Sequence, residues 1–387
     1  MKKLFNNLIF KLALGVFIGV LFGSYASKSS IGIAVTIKYV LGQVIFFAVP
    51  LIILGFITPS IAKLKHNASK FLGMSIFIAY ISSVGAAFLS MIAGYTLIPK
   101  LSIASNAEGL KKLPELIFKL DIPPIMSVMS ALALSLLIGL ATGWTNSDLI
   151  EKILDQFQNI VLSIVNRVII PILPFFIATT FASLAYEGAI TKQVPVFLKV
   201  IVIVLIGHFI WLTLLYLVGW IISKENPMEV LRHYGPAYLT AVGTMSSAAT
   251  LPVALKCAKK SKILRGDIVD FAIPLCSNIH LCGSVLTEVF FVMTVSQILY
   301  GHLPTLSNML LFIILLGVFA IGAPGVPGGT VMASLGLIIS VLAFNESGTA
   351  LILTIFALQD SFGTACNITG DGAIALMLTG LAKRKNL

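Results

Sequence analysis

The sequence predicts an all-α polytopic membrane protein, and three observations carry that prediction. Of the 387 residues, 58% are hydrophobic and 11% are Asp, Glu, Lys or Arg, where a soluble domain has roughly 25% charged residues. Mean hydropathy is +1.03, so there is too little polar surface to coat an aqueous particle. Apolar stretches recur along the whole chain. At about 20 residues per crossing, the length holds roughly eight to ten membrane-embedded segments and excludes a separate soluble domain.

Taken in order, the chain opens with Met1-Lys2-Lys3 and an apolar run from Leu8 to Phe22. No clean small-residue cleavage site follows, so the first segment, about 6–26, is read as a retained helix. Gly15, Gly19 and Gly23 stand four apart in it, the spacing of a close helix–helix contact. Ordinary spanning segments follow at about 33–61, 71–98, 122–144, 152–186 and 194–223, each bounded by charged or Gly/Pro-containing stretches. Beyond Lys224 the pattern changes. Between about 227 and 257, Gly243-Thr244-Met245-Ser246-Ser247-Ala248-Ala249-Thr250 interrupts an apolar stretch, which makes a poor crossing but a good re-entrant hairpin tip. A seventh segment, about 267–297, breaks at Ser277-Asn278-Ile279-His280-Leu281-Cys282-Gly283, and the next is split by Gly322-Ala323-Pro324-Gly325-Val326-Pro327-Gly328-Gly329. The last runs from about 347 to 382.

Each unsatisfied amide in hydrocarbon costs several kcal/mol, so non-helical backbone at membrane depth must be buried in protein or line a water-filled cavity. Two interrupted hairpins and one broken helix therefore predict a cavity, in the layout of a secondary transporter with a midplane site. Seventeen Lys and Arg fall in the segments that would face the cytoplasm if both termini do, and eight on the other side, which predicts cytoplasmic termini. The net charge of +11 is explained by this orientation bias and calls for no nucleic-acid partner. Cys257, Cys276, Cys282 and Cys366 form no CxxC pair and argue for neither a disulfide framework nor a zinc site.

A charged side chain at the bilayer centre costs at least about 2.5–3.5 kcal/mol, so it is a functional candidate by default. After the sixth segment these are His280, Glu288, Asp360 and Asp371. Asp360, Thr364, Asn367 and Asp371 are spaced +4, +3 and +4, which places a carboxylate, a hydroxyl, an amide and a carboxylate on one helical stripe. Such a ladder of oxygens suits a hard monovalent cation or a ligand ammonium. Salt bridges within the bundle are the alternative, yet no Lys or Arg occurs between Arg265 and Lys383 to supply them. Glu288 reads either as a carboxyl bonded to a neighbouring Ser or Thr or as a proton carrier, and His280 as a packing residue or a ligand. His208 and Arg167 lack a surrounding polar stripe and read as structural or snorkelling.

These residues resemble the glutamate transporter family, the dicarboxylate/amino acid:cation symporters, over essentially the whole chain. The matching elements are Ser246-Ser247-Ala248-Ala249-Thr250-Leu251-Pro252, the broken segment with Pro274-Leu275 and Gly283-Ser284, Gly325-Val326-Pro327-Gly328-Gly329, and Asp360 through Asp371 ending in Asn-Ile-Thr-Gly-Asp. The resemblance implies eight transmembrane helices, two re-entrant hairpins and a homotrimer with an elevator mechanism. Scaffold helices would occupy 1–70 and 99–190. The transport domain would take 71–98 and 191–387, with hairpins at about 227–258 and 305–345, helix 7 at about 266–297 and helix 8 at about 347–384. It implies substrate contacts from Ser246, Ser247, Val326, Pro327, Gly328, Asp360, Gly363, Thr364 and Asn367, with Asp360 on the substrate ammonium. It implies a sodium site from Asp371 with Asn278 or His280 and Asn367. Sodium is the coupling ion expected, with no organic cofactor, and Glu288 falls where some members carry a coupled proton.

Two departures bear on specificity. Members that carry acidic amino acids place an arginine where this chain has Gly363, and Met245 stands at the other usual arginine position. A second substrate carboxylate would then be buried unpaired near Asp360, which is strongly unfavourable. A neutral amino acid is expected instead, with serine and threonine leading. Here the sequence is similar to the bacterial serine/threonine:sodium symporter branch, which implies a bacterial inner (plasma) membrane. The family's Asn-Met-Asp-Gly motif reads His280-Leu281-Cys282-Gly283. The missing aspartate removes a carboxylate from a sodium site that also uses the third segment near Tyr80, Ser82 and Ser83, so fewer sodium ions are expected. The alternatives are a symporter of another amino acid or a dicarboxylate, and a cation-gated channel. No HExxH cluster or convincing Ser-His or Asp-Asp pair supports an enzyme.

Overall fold

The computed structural model describes residues 8–66, 70–101, 112–188, 190–323, 325 and 327–384. Its described residues form helices and connecting turns without strands. In chain order the helices are α1 (Leu8–Tyr25), α2 (Lys28–His66), α3 (Lys70–Leu97), α4 (Val128–Thr145), α5 (Asp148–Ile164), α6 (Ile170–Glu187) and α7 (Ile190–Ser223). Then come a single turn, α8 (Met228–Leu231), and the pairs α9 (Gly235–Thr244) and α10 (Ser247–Ala258), α11 (Gly266–Ile279) and α12 (Cys282–Tyr300), α13 (Leu306–Gly322) and α14 (Gly329–Ser340). Helix α15 (Glu346–Arg384) closes the chain. By length and composition six helical stretches can cross a membrane.

The segment predicted from 122 is shorter than expected. Pro123 and Pro124 keep residues 121–127 out of helix, and α4 begins only after Ser127, whose hydroxyl accepts the Ser130 N–H. The extended stretch before it lies along α2. The Ile117 N–H donates to Thr36 Oγ1, the Ile122 N–H to Gln43 Oε1, and the Tyr39 hydroxyl to Asp121. Thr36, Tyr39 and Gln43 are one helical stripe, so the register of this strap is written on α2.

Glycine spacing sets the tightest contact. Gly15, Gly19 and Gly23 of α1 lie on the backbone of α6 at Pro174, Ala178 and Ala182, and a Cβ on Gly15 would stand 2.7 Å from the Pro174 carbonyl oxygen. Without a hydrophobic force between helices in lipid, such close backbone approach is what holds them. Arg167 is exposed in a π-helical turn, Val165–Ile169, joining α5 to α6.

Burial distinguishes centre from rim. The apolar window of the α11–α12 stretch is 100% buried, whereas that of α7 is 33% buried. Phe209, Trp220 and Ile221 of α7 are exposed, as expected where lipid is the solvent. Helix α15 is buried along almost its whole length and packs against α7, α9, α11 and α12.

Candidate functional site

The breaks of α9–α10, α11–α12 and α13–α14 meet beside the middle of α15. They enclose a cavity of about 10 Å³, room for a single water, lined by Met245, Ser247, Ser284, Thr330, Asp360 and Thr364 among others. Ser247, Ser284 and Thr330 lie in the first turns of α10, α12 and α14, so three helix N-termini surround it. Their dipoles favour an anionic group. Asp360 is the charged residue among those lining the cavity, and none is Lys or Arg.

Each break is held by a bond across elements. Ser246 caps α10 by accepting the Ala249 N–H at 3.2 Å, and its hydroxyl donates to the Gly325 carbonyl at 2.6 Å, joining the two tips. The Gly328 N–H donates to Asp360 Oδ2 at 2.6 Å. Gly328 has φ of +71°, a conformation glycine adopts without steric cost. Asn367 completes α12. Its Oδ1 accepts the N–H groups of Gly283 at 2.7 Å and Ser284 at 3.2 Å, and its Nδ2 donates to Ser284 Oγ at 2.9 Å. These satisfy donors that a helix start leaves free, and Leu281 at the cap position cannot.

The four-residue stripe on α15 divides. Asp360, Thr364 and Asn367 line the cavity, while Asp371, fully buried, lies beside His280 instead. His280 Nδ1 is 2.9 Å from Asp371 Oδ1, and its Nε2 is 2.8 Å from Ser82 Oγ on α3. The imidazole thus bridges the Asp371 carboxylate on α15 and the Ser82 hydroxyl on α3. Asp371 Oδ2 has no hydrogen-bond partner, so an oxygen remains there for a cation. The partner of Asp371 is a histidine, which a search confined to Lys and Arg overlooks. Of the third-segment trio, Ser82 reaches the break, Tyr80 donates to the Ile314 carbonyl, and Ser83 Oγ has no partner.

Glu288 on α12 is fully buried and accepts the hydroxyl of Ser334 on α14, while its Oε2 has no partner. The Asn278 amide bonds the Pro274 carbonyl of its own helix at 2.8 Å. Gly363 faces α12, and a Cβ there would stand 3.2 Å from Ser284 Cα. Pro327 precedes Gly328 in the second tip, and Val326 lies outside the described residues. His208 is structural, with Nε2 at 3.1 Å from the Gly283 carbonyl and 2.9 Å from Thr287 Oγ1. Sequence reasoning missed Ser284, Thr330 and Ser334 as site residues. Ser284 follows the broken motif directly, but nothing local marks the other two.

Helix breaks gathered round a buried polar site define the class, a polytopic helical membrane protein with a buried polar cavity. The chain belongs to the sodium:dicarboxylate symporter family, whose model matches residues 8–381. This is a family of transporters rather than enzymes. The chain is similar to neutral amino acid transporter B(0) of Rattus norvegicus, 28% identical over 190 residues, 49% of this chain and 34% of that one. It is also similar to excitatory amino acid transporter 2 of Mus musculus, 24% identical over 266 residues, 67% of this chain and 45% of that one. The matched part spans less than half the length of either relative.

Proposed function

We propose that the protein is a cation-coupled symporter of a small neutral amino acid, with serine and threonine the leading substrates and sodium the coupling ion. The carrying observation is the charge of the cavity: one carboxylate, Asp360, three helix N-termini, and no lining Lys or Arg. Asp360 would take the substrate ammonium and the helix N-termini its carboxylate, with Thr364 and Ser247 on the side chain. A second substrate carboxylate would have no partner. Apolar Met245 and close-packed Gly363 stand where acidic-substrate members carry arginine. The names of the relatives support an amino acid as cargo.

The free oxygen of Asp371, with backbone carbonyls of the α11 break at Asn278 or His280 and of Asn367, supports a sodium site. Cys282, standing where the family motif has an aspartate, supports the loss of a second one. The helical breaks at 245–246 and 323–328 support two re-entrant hairpins within eight crossing segments. The proposal includes a homotrimer, an elevator movement of 71–98 with 191–387 against the rest, and a bacterial inner membrane with cytoplasmic termini.

The test is uptake of radiolabelled L-serine into proteoliposomes under an inward sodium gradient, with threonine, alanine, aspartate and succinate as competitors. Concentrative uptake blocked by threonine but not by aspartate is expected. Accumulation of aspartate or succinate without serine would overturn the neutral-substrate reading. If Glu288 carries a proton, Glu288→Gln abolishes the pH dependence of uptake, and an unchanged dependence refutes that role.

A further inference from the structure

Away from the site just described, a cavity of about 360 Å³ opens between α2, the strap of residues 112–127 and the start of α15. Its charged and polar lining is Lys38, Tyr39, Lys119, Asp121, Glu346 and Ser347, above an apolar base that includes Phe46. Lys38 is half-buried and makes no hydrogen bond or ion pair among the described residues. Glu187 and Glu346 are the acidic groups near enough to act on it. The Tyr39 hydroxyl already donates to Asp121, which leaves Glu346, at the first position of α15, as the free carboxylate. A second cavity of about 270 Å³ adjoins the first through Phe46, and its wall is almost wholly apolar, with Val49, Pro124, Gly336 and Ile339.

A charged chamber with both signs beside an apolar one, with Phe46 lining both, matches an amphiphile with a zwitterionic head. We propose that these two cavities bind one membrane phospholipid with an ethanolamine headgroup. Its phosphate lies against the ammonium groups of Lys38 and Lys119, its primary ammonium against Glu346, and one acyl chain runs past Phe46 between α2 and α14. Lys38 has acidic groups nearby but no direct hydrogen-bond partner among the described residues, and a phosphate supplies charge-assisted hydrogen bonds to its ammonium. A glycerol headgroup gives Glu346 no cation, and a quaternary choline gives it no hydrogen-bond donor. Bound in this way, the lipid sits between α2 and the strap on one side and α14 and α15 on the other.

The test uses the full chain in detergent, washed until annular lipid is gone, with retained lipid counted per protomer by mass spectrometry and melting temperature followed on adding back pure lipids. The variants are Lys38→Met, which removes the phosphate partner, and Ile339→Trp, which fills the apolar chamber. Neither residue belongs to the substrate or cation site, and gel filtration verifies folding. Wild type is expected to keep about one phosphatidylethanolamine and to be stabilised by it. Each variant should bind it at least tenfold more weakly, and phosphatidylcholine and phosphatidylglycerol should not replace it. Equal retention by both variants, or equal stabilisation by all three lipids, overturns the proposal. Saturation by soluble phosphoethanolamine, without a tail, would also overturn it by assigning the pocket to a free zwitterion.

Discussion

Asn367 carries a structural load that a substrate contact would not. Replacing it with the isosteric leucine leaves the Gly283 and Ser284 N–H groups without their acceptor in a fully buried place. An unsatisfied buried donor costs about 1–3 kcal/mol, so two cost about 2–6 kcal/mol, a large fraction of a typical stability of about 5–15 kcal/mol. At roughly 2 °C per kcal/mol for a large domain, the substrate-free variant should melt about 4–12 °C lower. Thr364→Val is the control, one turn away in the same cavity but without a bond to the α12 start. Heating detergent-solubilised protein and measuring the folded fraction by gel filtration separates the two. Equal melting of Asn367→Leu and wild type would refute the capping argument, and equal loss in both variants would assign the effect to cavity hydration.

Asp360→Asn should lose at least about 2 kcal/mol of substrate binding, measured by saturation uptake, without a lower melting temperature, because it removes a buried charge with no ionic partner. A destabilised variant would mean that the carboxylate is structural. In sodium-free buffer, His280→Leu and Asp371→Leu should each destabilise by about 3–5 kcal/mol, and the double variant by less than either, since breaking a buried pair is worse than replacing it. Additive losses in this double-mutant cycle would show that the two side chains are uncoupled. Gly283→Ala puts a Cβ 2.5 Å from the Gly363 carbonyl and against Cys366, whereas Gly363→Ala meets Ser284 at 3.2 Å. The first should prevent a stable fold and the second cost about 1–3 kcal/mol, an order that thermal melts would check.

What was legible in the sequence is what one element encodes by itself. The breaks are visible because Gly, Pro and Ser cannot continue a helix, and the α15 stripe because its four polar residues keep helical spacing. The split of that stripe was not visible. It depends on His280, 91 residues from Asp371, and on the α12 start that Asn367 caps from 84 residues away. Ser334 meets Glu288 across 46 residues, and no local pattern in α14 marks that serine. The late start of α4 was written in Pro123-Pro124, yet the apolar content of 122–127 hid it, because hydropathy measures solubility in lipid and not backbone geometry.

The unequal strength of these cross-element bonds fixes which parts of the site can move. The α12 start is held by three bonds from one buried amide, and the α11 end by His280 between Asp371 and Ser82. The two hairpin tips are held by less: Ser246 to the Gly325 carbonyl, and the Gly328 N–H to Asp360. A neutral hydrogen bond is worth about 0.5–1.5 kcal/mol net and one to a charged group about 1.5–3 kcal/mol, so parting the tips costs about 2–4.5 kcal/mol from these bonds. A cavity with room for one water cannot admit an amino acid until they part. In the proposed function the substrate ammonium would bind Asp360, the carboxylate that also accepts the Gly328 N–H, so the proposed substrate contact and the tie to the α14 start fall on one side chain.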